Sequence, residues 1–349
     1  MKPLQKDFLI KLINEPSPSG HEDSVQKIWH EETVKFCPEI EKDTHGNMIA
    51  SLNPGNEKSI MIVGHSDEVG MIINYINNDG FIYFKSVGGL DPSILSSQRA
   101  RIITKKGIIE GAVGKISKHL DDPANDKKPP KMHELWIDIG AKNKKDAEIY
   151  VTPGDPVVFG NDFQQLTGNL ALARCWDNKV GIFVVAEVLR NLSSVRNLKK
   201  TVYGVSSVQE EIGTLPAGNA AYTYKPTLAI AIDVMPATDS PGVLKEKFGE
   251  TYVDKGPVIT RGVRTSKSLS VNLIETAKKK KIPYQIEVEQ GYTYTDADAI
   301  ARIRAGIPIG VVSLATRYLH SSVEILSLKD IDLTIQLLTE FIIKDKFEY

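Results

Sequence analysis

The sequence predicts an α/β protein in which a small β domain interrupts a larger domain of alternating strands and helices. Continuous apolar runs, such as residues 60–64 and 228–232, are typical of buried parallel strands, and helical patterns lie between them. From residue 70 to about residue 160, short β-like runs alternate with glycines instead. The length of 349 residues also favours two domains, at about 150 residues per domain.

The first 36 residues predict two helices around a loop at 15–20 that is rich in Pro, Ser and Gly. Residues 41–48 then predict a strand, a turn and a return strand. The run 59–64 is continuously apolar after Ser59 and is bounded by turn signals. It therefore predicts a buried strand near the centre of a sheet.

The middle of the chain predicts a separate β domain, because no helix of normal length is evident before 144–149. Six short β-like runs occur there, at 71–76, 81–86, 101–104, 108–115, 134–139 and 156–159. A polar, lysine-rich loop at 117–133 is expected to be solvated. We predict an inserted domain at 69–166, with 1–68 and 167–349 forming the other domain.

Alternation of strands and helices resumes after residue 166. Residues 177–192 predict a helix whose wide apolar surface is typical of a buried helix. Further strands are expected at 201–208, 228–232 and 307–314, and further helices at 266–281 and 328–344. Four lysines end the helix at 266–281, where cations suit the helix dipole, so we assign them no binding role.

Composition excludes several functional classes. The 43 Lys and Arg residues balance 44 Asp and Glu, and a net charge of -1 argues against a nucleic-acid partner. No apolar run approaches the ~20 residues of a membrane span, so no membrane association is expected. Two cysteines, Cys37 and Cys175, cannot form a disulfide framework, and no secretory signal is recognisable. The expected location is the cytoplasm.

Polar side chains cluster at the predicted carboxyl ends of the strands, where open α/β sheets form their ligand crevice. Imidazole nitrogens and carboxylate oxygens there are the donors of a zinc-like metal site. Among the residues that follow predicted strands or begin the buried helix, seven are the candidates for this site: His65, Asp67, Asp177, Glu210, Glu211, Asp233 and His320.

Two neighbouring divalent ions require a shared carboxylate, and a carboxylate that binds no metal can take a proton from water. Glu210 and Glu211 are adjacent, so their side chains point to different sides. One can therefore bind a metal ion while the other takes the proton from water. Asp67, two residues after His65, can hold the imidazole ring. The ordinary alternatives are a helix N-cap for Asp177 and two solvated charges for the glutamates.

Five motifs, in this order, resemble the tetrahedral aminopeptidase family, which includes glutamyl aminopeptidases and members once labelled endoglucanase. The motifs are GHSDEVG at 64–70, WDNKVG at 176–181, VQEEIG at 208–213, AIDV at 231–234 and RYLHSSVE at 317–324. Segments 137–141 and 153–158 are similar to the family's inserted dimerisation domain. The family pattern differs at 214–217, where this chain has TLPA, and at Thr293 and Tyr294, where paired glycines are usual.

The resemblance implies a zinc-exopeptidase-like α/β/α sandwich with an inserted β-barrel, and a metal-dependent aminopeptidase acting on short peptides. Asp177 would bridge two divalent ions, zinc or cobalt before manganese. The remaining roles are implied as follows: His65 and Asp233 complete one metal site, Glu211 and His320 complete the other, Glu210 is the general base, and Asp67 orients His65. A cis peptide after Asp177 and a tetrahedral dodecamer built from dimers are also implied.

Two other functions remain open from the sequence. A β-glucanase needs two carboxylates flanking a sugar and usually exposed aromatic residues, but the three tryptophans show no cluster. A catalytically silent assembly protein of the same fold would have lost Glu210 or a metal ligand, and none is missing.

The sequence also suggests a hypothesis about which N-terminal residue the enzyme prefers, and this hypothesis depends on Asp298. In the family, the stretch after Thr295, Asp296 and Ala297 lies near the pocket for the N-terminal side chain. A carboxylate of Asp298 facing that pocket would attract Lys or Arg. The alternative is that Asp298 caps the helix that follows.

Overall fold

The structure is a computed structural model that describes residues 3–120 and 129–344, so the predicted loop lysines Lys127 and Lys128 lie outside the described residues. Its largest sheet has eight strands, numbered along the chain. From one edge to the other they are β1 (Ile40–Lys42), β2 (Met48–Leu52), β12 (Thr201–Ser207), β3 (Ser59–His65), β13 (Leu228–Pro236), β16 (Ile309–Thr316), β14 (Val258–Thr260) and β15 (Gln285–Glu287). Strands β12, β3, β13 and β16 are mutually parallel, so their carboxyl ends meet at one edge.

Helices cover both faces of this sheet, because its buried strands point alternate apolar side chains to opposite sides. Ile60 and Ile62 of β3 pack on one face, whereas Met61 and Val63 pack on the other. The first face carries α1 (Pro3–Asn14), α2 (Asp23–Thr33), α4 (Trp176–Ser193), α7 (Lys267–Lys280) and α9 (Leu328–Ile343). The second face carries α5 (Leu215–Tyr224) and α8 (Asp296–Ile300). The arrangement is a three-layer sandwich.

The glycine-rich middle segment forms a closed barrel of antiparallel strands with a core of its own. In order around the barrel these strands are β4 (Gly70–Ile76), β5 (Ile82–Val87), β8 (Trp136–Asp138), β7 (Gly107–Gly114), β6 (Arg99–Thr104) and β9 (Pro156–Phe159). A smaller antiparallel sheet contains β10 (Gln164–Gln165), β11 (Leu170–Ala173) and β17 (Glu324–Ser327), and short helices α3 (Lys144–Ala147) and α6 (Lys245–Phe248) lie in connecting segments.

Helix α4 packs unusually close to β3, and glycine makes this approach possible. A Cβ atom added at Gly64 would lie only 2.7 Å from the backbone carbon of Gly181, a distance that side chains do not tolerate. As predicted, almost all of α4 is buried. The close packing brings the first turn of α4 against the end of β3, where His65 lies.

Two element boundaries differ from the sequence prediction in ways that affect the site. Strand β13 continues to Pro236, because Val234 and Met235 still pair with β16, so Asp233 lies inside the strand rather than after it. The backbone of α4 is not helical at Asp177 and Asn178, and the side-chain oxygen of Asn178 accepts the backbone N–H of Gly181 at 3.0 Å, so Asn178 caps the regular part of the helix. Asp177 is therefore not an N-cap, and the capping alternative for this residue is wrong.

None of the helices within the described ranges combines the length and apolar character that crossing a membrane requires.

Candidate metal centre

Six of the seven residues singled out from the sequence line one cavity of about 560 Å³ at the carboxyl edge of the parallel strands. They are His65, Asp177, Glu210, Glu211, Asp233 and His320. The seventh, Asp67, is fully buried behind them. Parallel strands end at a common edge, and the turn after β12 and the loop after β16 bring the glutamates and His320 to that same edge.

Asp177 lies between the two histidines and presents one carboxylate oxygen to each. Its Oδ1 is 3.1 Å from Nε2 of His65, and its Oδ2 is 3.2 Å from Nε2 of His320. The peptide bond between Asp177 and Asn178 is cis, as the resemblance implied. The Asn178 side chain donates a hydrogen bond to the carbonyl of Ile232, which ties this turn to β13.

Three further carboxylates surround the histidines. Oε2 of Glu210 and Oδ1 of Asp233 each lie 3.8 Å from Nε2 of His65, and Oε2 of Glu211 lies 3.5 Å from Nε2 of His320. The other oxygen of Glu211, Oε1, is buried and has no hydrogen-bond partner in the part of the chain that the structure describes. A buried carboxylate oxygen with no donor is costly unless a ligand or water satisfies it.

This donor set fits divalent metal ions. Among the described residues, two groups have ligand atoms within 4.8 Å of one another: His65, Glu210 and Asp233, and His65, Asp177 and Glu211. Each group offers one imidazole and two carboxylates, which are ligands of zinc and related ions. The unpartnered oxygen of Glu211 supports the same conclusion, since it belongs to the second group.

Asp67 organises the site more widely than its spacing from His65 suggested. Nδ1 of His65 lies 3.1 Å from the carbonyl oxygen of Asp67 and 3.3 Å from its Oδ1. The carboxylate also accepts the backbone N–H groups of Glu210 at 3.0 Å and Glu211 at 3.1 Å, and the hydroxyl of Ser19 at 2.6 Å. Burial opposes its charge, but these contacts and the charge of His65 lower the pKa of Asp67.

Glu324 is a site residue to which sequence reasoning gave no role. Its Oε2 accepts the backbone N–H of Asp177 at 3.1 Å, and its Oε1 accepts that of His320 at 2.9 Å. One buried carboxylate thus links the two segments that present these side chains. The available signal was its position as the last residue of the motif at 317–324, but spacing alone could not show a contact across 147 residues.

The barrel also reaches the cluster. The backbone carbonyl of Gly89, between β5 and β6, lies 2.8 Å from Nδ1 of His320. An Nδ1–H donating to this carbonyl leaves Nε2 of His320 free to face the cavity. The inserted barrel therefore contributes to the orientation of a site that is built mainly by the sandwich.

Crowding of negative groups shifts the proton affinities in the cluster. Burial raises the pKa of Glu211 to about 8, and the nearby charge of Asp177 adds to the rise. Burial lowers the pKa of His320, but the hydrogen bond to Asp177 and the charge of Glu211 raise it overall to about 10. Burial also raises the pKa of Glu210, and the charge of Asp233 contributes. Carboxylates gathered in this way favour the binding of cations.

Asp298 does not reach the cavity, so the specificity hypothesis based on it is wrong. Its Oδ2 accepts the backbone N–H groups of Thr293 and Tyr294, each at 2.9 Å, and its Oδ1 lies 3.7 Å from Arg264. The side chain of Thr295 caps helix α8. Asp298 instead stabilises the loop before that helix, so the alternative that Asp298 caps the helix is wrong as well.

Comparison with known proteins identifies the family. The model of the M42 glutamyl aminopeptidase family matches residues 46–337. An Acetivibrio thermocellus protein named "Putative aminopeptidase" is 34% identical over 340 residues, which cover 96% of this chain and 98% of that protein.

Solved structures agree. The TET aminopeptidase from the marine sediment archaeon Thaumarchaeota archaeon SCGC AB-539-E09 is similar with a TM-score of 0.93 and 31% identity, covering 98% of this chain and 97% of that one. The TET1 peptidase of Pyrococcus horikoshii, which can assemble into a tetrahedron or a large octahedral shell, has a TM-score of 0.85 and 32% identity, with 96% and 98% covered. These likenesses confirm the predicted fold class. The chain is a peptide hydrolase that belongs to the M42 glutamyl aminopeptidase family of metal-dependent peptidases.

Proposed function

We propose that this chain is an aminopeptidase that removes N-terminal residues from short peptides with two divalent metal ions and a glutamate base. The observation that carries the proposal is the position of Asp177, with one oxygen about 3 Å from each histidine. In this proposal Asp177 would contact both ions. His65 and Asp233 would hold one ion, and Glu211 and His320 would hold the other.

Both histidines support this assignment through their second ring nitrogen. Nδ1 of His65 faces acceptor oxygens of Asp67, and Nδ1 of His320 faces the carbonyl of Gly89. A proton on Nδ1 leaves the Nε2 lone pair directed at the cavity, which is the state that a metal ligand needs. Zinc, cobalt and manganese all accept such imidazole and carboxylate donors.

The proposed mechanism of peptide hydrolysis depends on which carboxylate binds no metal ion. Bound ions would polarise the scissile carbonyl and lower the pKa of the attacking water. Glu210 would accept a proton as the water oxygen bonds to the carbonyl carbon, and would pass it to the amine nitrogen as the C–N bond breaks. Burial raises the pKa of Glu210, which makes it a stronger base than an exposed glutamate.

Paired substitutions test the division of roles between the glutamates. Glu210→Gln should retain metal and lose about 10²- to 10⁴-fold in kcat, because it removes only the base. Glu211→Ala should lose metal, because it removes a ligand. Metal content by elemental analysis and hydrolysis of aminoacyl reporters measure the two effects, and the exposed Glu246→Gln serves as the control. Equal metal loss in both glutamate variants would contradict the assignment.

The same assay separates a peptidase from a glucanase. The metal-loaded protein should release the N-terminal residue from a peptide amide and leave cello-oligosaccharides intact, and a chelator should abolish the release. Cleavage of the oligosaccharide alone would overturn the proposal.

We also propose that the inserted segment 69–166 mediates dimerisation and that dimers assemble further, up to a tetrahedral dodecamer. Exposed apolar side chains on the barrel support a contact surface, among them Tyr75, Ile108 and Ile116. The assembly of the similar Pyrococcus horikoshii TET1 peptidase into a tetrahedron is consistent with this proposal.

A further inference from the structure

The cavity that holds the metal cluster extends along the sheet to the edge strand β15. Its far end is lined by Glu287 and Glu289, together with Thr260 of β14. The intervening strands are β16 and β14, so β13, which carries Asp233, and β15 are three interstrand spacings apart. At about 4.8 Å per spacing the two strands are about 14 Å apart.

Alternation along the chain places both glutamates on the cavity side. Glu287 and Glu289 line the cavity, whereas the intervening Val288 and the preceding Ile286 line a separate surface depression. The hydroxyl of Thr260 donates a 2.9 Å hydrogen bond to Oε2 of Glu287, which fixes the position of that carboxylate. Burial raises the pKa of Glu287, and the negative Glu289 beside it adds to the rise.

No basic side chain of the described residues is seen beside this pair in the cavity. Among the described residues that line the cavity there is no Lys or Arg. Arg264 and Arg302 stack on the ring of Tyr292, at 3.8 and 5.4 Å from its centroid, and Arg261 lines the separate depression with Ile286 and Val288. At the other end of the same cavity, Oε1 of Glu211 is buried without a hydrogen-bond partner among the described residues, which supports ligand binding in this cavity.

We infer that Glu287 and Glu289 form the subsite that binds the cationic side chain of an N-terminal Lys or Arg. The inference rests on the proposed aminopeptidase function, because it places the scissile carbonyl at the metal cluster. The side chain of an N-terminal Lys or Arg can then extend across β16 and β14 toward β15. A short apolar side chain leaves the two carboxylates without a cationic partner. An acidic side chain is repelled by them.

Lysine and norleucine reporter substrates isolate the contribution of the ammonium group, because norleucine keeps the unbranched chain and lacks the charge. The metal-loaded wild type should prefer the Lys reporter by about 10- to 100-fold in kcat/KM, the range expected for hydrogen bonds to a charged group. Glu287→Gln and Glu289→Gln should each reduce this ratio about tenfold while kcat/KM for norleucine stays within about twofold. Glu246→Gln, on the exposed helix α6, should leave the ratio unchanged.

Two outcomes would overturn the inference while the proposed function stands. One is hydrolysis of Lys and norleucine reporters at equal kcat/KM. The other is an equal loss for both reporters in the variants, which would assign the glutamates to the substrate's α-ammonium group instead. If no reporter is cleaved, the proposed function fails, and calorimetric binding of L-lysine amide against L-norleucine amide to the wild type decides the inference separately. Equal affinities in that measurement would refute it.

Discussion

At the scale of single residues, Glu22 shows how the region behind the candidate metal centre is stabilised. It is buried, and its Oε1 accepts the backbone N–H of Gly20 at 2.7 Å and that of Gln209 at 3.1 Å. Gln209 directly precedes Glu210 and Glu211, the proposed base and the proposed metal ligand. Burial raises the pKa of Glu22 to about 7, and the negative charge of Asp67 contributes.

This shift predicts a pH-dependent effect of Glu22→Gln on stability. The folded state binds the Glu22 proton more tightly than the unfolded state, so wild-type stability falls as pH rises from about 4.5 to about 7. The variant lacks this penalty and retains an amide oxygen that can accept both N–H groups. Its advantage in unfolding free energy should therefore grow between pH 5 and pH 8, by up to about 3 kcal/mol.

Urea unfolding of metal-free protein at the two pH values measures this difference, with Glu246→Gln as the exposed control. An advantage that does not change with pH would show that Glu22 is ionised throughout the range.

At the scale of elements, the site depends on how β17 joins the start of α4 to the loop after β16. Glu324 begins β17, and its carboxylate accepts one backbone N–H from each of those segments. Burial and the charge of Asp177 raise the pKa of Glu324. The carboxylate thus sets the separation of Asp177 and His320 without facing the cavity itself.

Glu324→Gln should weaken this connection, since an amide offers one acceptor oxygen in place of two and adds a donor beside a backbone N–H. Loss of a group that orients metal ligands typically costs about 10- to 100-fold in metal affinity. We expect a shift of that size in a metal titration of the apoprotein, and recovery of activity at high metal concentration. Unchanged metal affinity would mean that packing of α4 on β3 is sufficient to hold the ligands in place.

At the scale of the whole molecule, the barrel is both a contributor to the site and the proposed contact between subunits. Gly89 reaches His320 from the barrel, while apolar side chains such as Ile108 and Ile116 remain exposed on it, at 49% and 53%. Exposed apolar surface of this kind is available for contact with another subunit.

We therefore expect light scattering to give a multiple of the 38.6 kDa chain mass for the wild type. A double variant, Ile108→Asp with Ile116→Asp, should shift the mass to smaller species, because a buried unpaired charge opposes association. Leu244→Asp, an exposed apolar position on the sandwich, is the matched control for dimer formation. A wild-type mass of one chain at working concentration would contradict the proposal.

The sequence by itself determined the class of fold and the residues that gather at the site. Strand ends, buried runs and glycine-rich segments follow from local periodicity, so the positions of His65, Glu210, Glu211 and His320 relative to the sheet edge could be predicted. Asp233 was found by the same argument, even though its strand proved longer than predicted.

Only the tertiary structure decided which distant groups meet. The Asp298 carboxylate accepts a hydrogen bond from the loop just before it. Glu324 instead contacts Asp177, which is 147 residues away in the sequence. Glu287 lines the cavity from the edge strand of the sheet. The physical reason is that local pattern specifies the face on which a side chain lies. Its partner depends on packing, such as the close contact of Gly64 with α4, which no single segment encodes.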